Sequence, residues 1–302
     1  MTMQVNPRDA AQAALAFAVS QQSHIETGVL KRKYPAIRYA ELIPVDTSAN
    51  PFAASVTHFS QDSVGKAKFM NGKADDIPLV DVLRQKFEAG VNDAGIGYSF
   101  SVTEIGQAQM LGQNLSADGA EAANMAFQQL VDEVAFVGDT QLGVQGLLNT
   151  TGITTAAASK TFALSTPQEI LAEVNGTLTS IMTATNGVEM ADTLLLPLAQ
   201  YGDIATRQIS ADSSMTVLQF IQQSNVYTAM TGQPLTIVAT HRLTGKMVAY
   251  KRDPSVVKMH MPMPLRFLAP QPVGLQINVP GMFRFAPINI RTPGAIRYKT
   301  GL

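Results

Sequence analysis

Residues 118–149, DGAEAANMAFQQLVDEVAFVGDTQLGVQGLLN, decide how this chain is interpreted. Apolar residues recur here at alternating steps of four and three, which places them on one face of a helix. They are Ala123, Phe127, Leu130, Val134 and Val137. A helix from about 117 to 137 spans roughly 30 Å. Gly138 is expected to end it, because glycine adopts a left-handed cap without steric cost. The stretch therefore predicts one long amphipathic helix followed by a glycine-punctuated loop.

Capping signals predict a second helix after this loop. Thr166 and Glu169 have the spacing of a capping box, with a proline at the first helical position. One face is then apolar, and Asn186-Gly187 ends the pattern. The apolar run TLLLP at 193–197 predicts a buried central strand. The apolar face consists of Ile170, Val174, Leu178 and Ile181. Further helices are expected near 197–208 and 216–225, and further strands in QPLTIVAT, KMVAYKR, VVKMHM, LQINV and FRFAPINIR. The chain is thus of the α+β or a mixed class.

Upstream of the long helix, residues 52–103 contain strand-like pieces, although LVDVLRQKF could equally form a short helix. The pieces SVTHFS, IPLVDVLRQKF and YSFSVT are separated by turn signals, NGK at 71–73 and NDAG at 92–95. If this region is one hairpin, arms of roughly 20 residues reach about 65 Å. A two-stranded hairpin on its own is marginal in water. Such a hairpin is expected to need a neighbouring molecule to cover it.

Composition indicates a folded chain with a covered surface. Of 302 residues, 46% are hydrophobic and 15% are charged, against about a quarter charged in typical domains. The absence of cysteine excludes disulfides, thiolate metal sites and cysteine catalysis. No apolar run approaches the roughly eighteen residues of a membrane span. The segment at 6–22 lacks the basic start of a secretory signal, so synthesis in the cytoplasm is expected.

Charge is distributed unevenly, although the net charge is only −1. Residues 104–212 hold twelve acids and two bases, whereas residues 213–302 hold ten bases and one acid. Three interpretations fit this asymmetry. Copies of the chain could attract one another, acidic face to basic face; a basic surface could face nucleic acid; or the two regions could neutralise each other within one folded chain.

No motif for catalysis or cofactor binding is present. The sequence has no phosphate-binding loop with its lysine, no GxGxxG and no GxSxG. Its four histidines, at positions 24, 58, 241 and 260, are far apart, so only folding could gather them around a metal. Asp132 and Glu133 are adjacent and point about 100° apart on a helix, which rules out a paired acid and base. A solvated or interfacial helix face is predicted for them. The alternating methionines of MHMPMP at 259–264 are interpreted as packing.

Four segments together carry a family resemblance. They are YSFSVTEIGQAQMLGQNLSADGAEAA at 98–123, VDEVAFVGDTQLGVQGLLN at 131–149, TLLLPLAQYGDIAT at 193–206 and RFAPINIRTPGAIRY at 284–298. In order and spacing they resemble the major capsid proteins of tailed double-stranded-DNA bacteriophages, within the phage capsid and encapsulin-like shell superfamily. The resemblance extends from about residue 75 to the C-terminus.

This resemblance implies a fold and a division of the chain. The long helix would be the spine helix of a peripheral domain, and a second, axial domain would lie around local symmetry axes. The implied segments are an N-terminal arm at 1–50, an extended loop hairpin at 51–103, a peripheral domain with the spine helix at 104–165, an axial domain at 166–255 and return strands of the peripheral domain at 256–302.

The implied function is assembly rather than catalysis. Family members form pentamers and hexamers that tile an icosahedral shell around packaged DNA. The expected location is the capsid of the virion, and assembly is expected in the cytoplasm of the bacterial host. Expected partners are other copies of the chain, a scaffold, a portal, in some members decoration proteins, and DNA by non-specific contact, with no membrane and no cofactor. The alternatives are an encapsulin-like compartment that encloses cargo enzymes and, from another class, a cytoplasmic α+β enzyme. The enzyme would need clustered titratable residues, which the sequence does not show.

Candidate contacts between subunits lie in the loop hairpin and on the long helix. Some capsid proteins of this kind link a loop lysine to an asparagine of a neighbour, whereas exposed lysines more often remain solvated or protect a strand edge. The candidates are Lys66, Lys68, Phe69 and Lys73 in the loop, and Asp132 and Glu133 on the helix.

Overall fold

The computed structural model describes residues 34–69, 79–111 and 115–302. The chain divides into two compact units, Met1–Ala36 and Ile37–Leu302. In the first unit only residues 34–36 are described, without helix or strand. The second unit is an α+β fold, as predicted.

The described helices are numbered in chain order. They are α1 (Tyr39–Leu42), α2 (Val102–Leu111), α3 (Leu115–Phe136), α4 (Pro167–Ala184), α5 (Leu198–Thr206), α6 (Val217–Ser224) and α7 (Val226–Thr231), with short 3₁₀ turns at Phe162–Leu164 and Pro293–Ala295.

The strands form several small sheets and one of five strands. They are β1 (Val45–Asp46), β2 (Ser55–Val64), β3 (Asp81–Gly90), β4 (Asn92–Gly95), β5 (Tyr98–Ser101), β6 (Gly138–Asp139), β7 (Val144–Gln145), β8 (Thr155–Ala157), β9 (Thr193–Pro197), β10 (Thr236–Thr240), β11 (Lys246–Tyr250), β12 (Val257–His260), β13 (Met263–Phe267), β14 (Gln271–Val273), β15 (Gln276–Val279), β16 (Gly281–Phe285), β17 (Asn289–Ile290) and β18 (Ile296–Thr300).

Helix α3 is the long helix expected from the apolar stripe. Its 22 residues span about 33 Å. Ala123, Phe127 and Val134 are buried as predicted, but Leu130 and Val137 are 39% and 41% exposed. In their place the buried set includes Val131, Asp132, Ala135 and Phe136. The buried face turns at this end because the following loop packs back against the last helical turn.

The glycine loop returns directly to the helix that precedes it. Gly138 ends α3 with a φ of 82°, the left-handed cap predicted for it. Strands β6 and β7 then form a two-residue ladder. The backbone N–H groups of Leu147 and Leu148 donate to carbonyls of the last turn of α3, both at 2.9 Å. These bonds satisfy helix carbonyls that would otherwise lack partners.

The core is a five-stranded sheet packed against α4. Its strand order is β10-β9-β11-β18-β8; β9 and β10 are parallel, as are β18 and β8, and the remaining pairs are antiparallel. Strand β9 has a neighbour on each side and is fully buried, as its apolar sequence predicted. Helix α4 begins with the predicted capping box, and the four apolar residues of its predicted face are at most 1% exposed.

Other strands form smaller sheets, among them β1-β12-β17, β13-β16-β4 and β14-β15-β5. The NDAG segment, predicted as a turn, is strand β4 and pairs antiparallel with β16. Turn-prone residues form a strand here because β16 supplies a complete ladder. Met259, Met261 and Met263 are all buried, in agreement with the packing interpretation.

Candidate assembly surface

Strands β2 and β3 form a long hairpin. Ten residue pairs join them, from Ser55 opposite Gly90 to Val64 opposite Asp81. The paired arms reach about 33 Å, half the length expected from arms of roughly twenty residues. In the part of the chain that the structure describes, no further strand joins this ladder. A two-stranded hairpin alone is marginally stable in water, so the outer half gains little support from the described part of its own chain.

The hairpin carries large apolar side chains that remain exposed among the residues that the structure describes. Phe59 is 68% exposed and Leu79 is 87% exposed. Phe69, just beyond the end of β2, is fully exposed. Further exposed apolar residues of this hairpin are Val64, Val80, Val82, Leu83 and Phe87. Exposed apolar residues concentrated on one element mark an interaction surface or an aggregation liability.

The candidate contact residues of the loop lie beside this apolar set. Lys66, Lys68 and Phe69 are exposed in the chain that leaves β2. Lys73 falls outside the described residues. The structure therefore brings two predicted lysines and the predicted phenylalanine to one end of the hairpin, where a neighbouring molecule can reach them.

The base of the hairpin is fixed to the body of the unit. The guanidinium of Arg284 on β16 forms an ion pair with Asp93 and donates to the carbonyl of Pro51 at 2.8 Å. His58 Nδ1 lies 3.2 Å from Asn289 Nδ2. The hairpin is thus anchored at one end and exposed at the other, an arrangement suited to reaching a neighbour.

Asp132 is placed differently from the other candidates. It is 2% exposed. Its Oδ1 accepts the backbone N–H groups of Arg38 and Tyr39 at 2.9 and 3.0 Å, and its Oδ2 accepts Arg242 Nε at 2.8 Å. The prediction of a solvated or interfacial face does not fit this geometry, because both oxygens are used inside the subunit. Glu133, one residue on, is exposed and remains available to a neighbour.

Ion pairs connect the acidic and basic regions within the chain. Besides the Arg242–Asp132 pair, Lys251 lies 2.7 Å from Glu189, and Lys299 pairs with Glu173. Each pair joins an acid of residues 104–212 to a base of residues 213–302. Of the three interpretations of the charge asymmetry, these contacts support neutralisation within one folded chain.

Two buried tyrosines hold distant segments together, and no sequence pattern predicted either contact. Tyr250 donates its hydroxyl to the carbonyl of Leu42 at 2.7 Å, and burial raises its pKa well above the usual value. Tyr298 donates to the carbonyl of Leu147 at 2.5 Å, and burial raises its pKa to about 12. No local signal could identify them, since their partners are 208 and 151 residues away.

The unit has an apolar surface groove. One open groove of about 540 Å³ is lined mostly by apolar side chains, among them Phe100, Leu115 and Phe267. Across the described ranges, no group of three or more His, Cys, Asp or Glu side chains could hold a metal ion. A search of the same residues for a helix long and apolar enough to cross a membrane finds none.

Comparison with known families identifies one match. The family model described as major capsid protein matches residues 65–302. No functionally curated protein matches the chain.

Solved structures of capsids and of a virus-like particle share the fold. The capsid of the Myoviridae phage XM1 is 21% identical with a TM-score of 0.79, over 94% of this chain and 98% of that one. The capsid of an empty GTA particle is 11% identical with a TM-score of 0.65, over 95% and 98%. A virus-like particle from Pyrococcus furiosus is 16% identical with a TM-score of 0.54, over 98% and 100%. At these identities the likeness concerns the fold alone.

Proposed function

This chain belongs to the major capsid protein family, and we propose that hairpin β2–β3 is the element through which its copies interlock. The protein is a structural component of a phage shell and not an enzyme. The observation that supports this use of the hairpin is its exposed apolar set on a ladder of only two strands. A neighbouring copy would supply the cover that the hairpin lacks.

Burial of apolar surface drives this association. Each Å² removed from water contributes about 25 cal/mol, and obligate assemblies bury more than about 2,000 Å². Many modest contacts closed into a lattice give a durable shell. In this proposal Lys66, Lys68, Phe69, Lys73 and Glu133 contact neighbouring copies. Asp132 contributes indirectly by stabilising the subunit.

We also propose how the copies are arranged and which partners they assemble with. The copies form pentamers and hexamers in an icosahedral shell, assembled in the bacterial cytoplasm around a scaffold and a portal. Decoration proteins and non-specific contacts with packaged DNA complete the partners. An encapsulin-like compartment is not favoured, since this chain aligns with the capsid of phage XM1 with a TM-score of 0.79.

The segments have corresponding roles in this proposal. Residues 1–50 and 51–103 interlock copies, residues 104–165 and 256–302 form the peripheral part, and residues 166–255 form the axial part. Strand β8 belongs to residues 104–165, β11 to residues 166–255 and β18 to residues 256–302. In the five-stranded sheet β18 lies between β11 and β8. The peripheral and axial parts would therefore be joined rigidly within each subunit.

Shortening the hairpin tests the proposal. Phe59 and Lys86 are directly opposite, so residues 60–85 can be replaced by Asn-Gly, a two-residue hairpin turn. The base, including the contact of His58 with Asn289, is retained. We expect a folded subunit with an unchanged thermal midpoint that forms no closed shells by electron microscopy. Normal particles from the shortened chain would contradict the assignment of the hairpin.

A further inference from the structure

The sheet β1-β12-β17 has one apolar and one polar face. Val257 and Met259 of β12 are fully buried toward the core. The alternate positions of the strands carry polar side chains on the other face. Register places Asp46 opposite His260 and Lys258 opposite Asn289, and Arg291 follows two positions after Asn289. Three strands thus bring basic groups and one carboxylate to a single surface.

His260 lies at the centre of this polar face without a hydrogen bond. It is 4% exposed, and among the described residues neither ring nitrogen has a hydrogen-bond partner. Its Nδ1 lies 3.5 Å from Asp46 Oδ2. Asp46 is already committed, because its carboxylate accepts Lys258 Nζ at 2.5 Å and the Ser48 N–H at 2.9 Å. Burial of an imidazole without a hydrogen-bond partner disfavours its charged form.

Hairpin β2–β3 reaches this face through His58. The imidazole is stacked on Phe87, its opposite residue in the hairpin, with ring centroids 5.2 Å apart and planes at 13°. Its Nδ1 contacts the side-chain amide of Asn289. The positive charge of Arg291 acts on both histidines, and its Nε is buried with no hydrogen-bond partner in the described part of the chain. The base of the hairpin therefore closes over a cationic cluster.

Protonation is unfavourable in this closed arrangement. Burial lowers the pKa of His58, and the positive charge of Arg291 lowers it further. Burial, Lys258, Arg291 and His58 lower the pKa of His260, and only Asp46 acts against them. A histidine freed by opening returns to an ordinary pKa near 6.5. The open form then binds more protons than the closed form, so closure is fully stable above about pH 6.5 and weakens as the pH falls toward the lowered values.

We propose that this polar face is an acid-sensitive clasp, and that protonation of His58 and His260 releases the base of hairpin β2–β3. Below the transition, the face would carry the four cations His58, His260, Lys258 and Arg291 against the one carboxylate of Asp46, and repulsion would favour the open form. The clasp is a property of one chain. Its consequence for the shell, a hairpin contact that loosens in acid, rests on the proposed function.

Distance measurements within the full-length chain test the clasp. The chain has no cysteine, so Gln85→Cys on β3 and Leu164→Cys on the body accept two spin labels selectively. Labelled chain is diluted into excess unlabelled chain, so that only distances within one copy are read. We expect the distance distribution to shift reversibly between pH 7.5 and pH 5. An unchanged distribution overturns the proposal.

Substitutions connect the shift to the two histidines. His58→Gln and His260→Gln should each reduce it, whereas His241→Gln, at an exposed histidine, should leave it intact. Lys258→Met keeps both histidines and frees Asp46 to pair with protonated His260, so the midpoint should fall by about one pH unit. A shift that survives both His58→Gln and His260→Gln, or a midpoint unmoved by Lys258→Met, overturns the proposal. An acid-dependent shift in a chain that forms no shells would support the clasp and contradict the proposed function.

Discussion

Asp132 connects three segments that are far apart in sequence. Its carboxylate accepts from α1 and from the turn after β10, while its own backbone belongs to α3. An ion pair of this kind gains little over an apolar replacement, but removing one partner leaves the other buried and unpaired. The residue is therefore more important for the subunit than its position on an otherwise polar helix face suggests.

Replacing Asp132 with alanine should destabilise the subunit strongly. The guanidinium of Arg242 and two backbone N–H groups would lose their acceptor, at a cost of about 3–5 kcal/mol. Chemical denaturation of the purified chain measures the free energy of unfolding. Glu133→Ala is the matched control, because an exposed neighbour should change that free energy by no more than about 0.5 kcal/mol. Equal effects of the two substitutions would show that Asp132 does not hold the segments together.

Replacing Gly146 or Gly176 with alanine should change the stability of the chain in opposite directions. A Cβ on Gly146 would lie 2.3 Å from the carbonyl carbon of Phe136, which is backbone and cannot move aside. Gly146→Ala should therefore cost about 1–3 kcal/mol. Gly176, within α4, has open space around its Cβ position, so Gly176→Ala should stabilise the chain by about 0.5–1 kcal/mol. Thermal unfolding of both variants checks the sign, and a neutral Gly146→Ala would mean that the loop can separate from α3.

At the scale of elements, the capping box of α4 is an isolated test of local structure. Thr166 and Glu169 each accept the other's backbone N–H. Thr166→Ala removes one of these bonds and should cost about 1 kcal/mol. Thr161, which precedes a 3₁₀ turn, makes no side-chain cap, so Thr161→Ala should have little effect on the unfolding midpoint. If the two variants unfold alike, the box contributes nothing to stability.

Elements with strong local signals could be predicted from the sequence. The stripe of α3, the capping box of α4 and the apolar run of β9 each depend on neighbouring residues alone. The two-residue ladder after Gly138 and the strand formed by NDAG could not be predicted, because each depends on a partner segment. Asp132 was misplaced for the same reason: its partners are 93, 94 and 110 residues away.

At the scale of the whole molecule, charge and apolar surface are used differently. Acidic and basic regions pair inside the chain, through contacts such as Lys251–Glu189. Large apolar side chains remain exposed on hairpin β2–β3. Low overall charge together with an uncovered apolar element favours association by burial rather than by attraction of opposite charges. Assembly should accordingly respond more to an apolar substitution on the hairpin than to salt.

Phe69→Ser tests this response directly. The side chain is fully exposed in the subunit, so its loss should leave the unfolding midpoint unchanged. If a neighbour buries it, each contact loses about 2 kcal/mol, and the subunit concentration needed for assembly should rise roughly 30-fold. Sedimentation across a concentration series measures that threshold. Leu164→Ser, at a residue 79% exposed outside the hairpin, is the control; if both variants assemble at the same threshold as the parent chain, the hairpin surface is not what joins the copies.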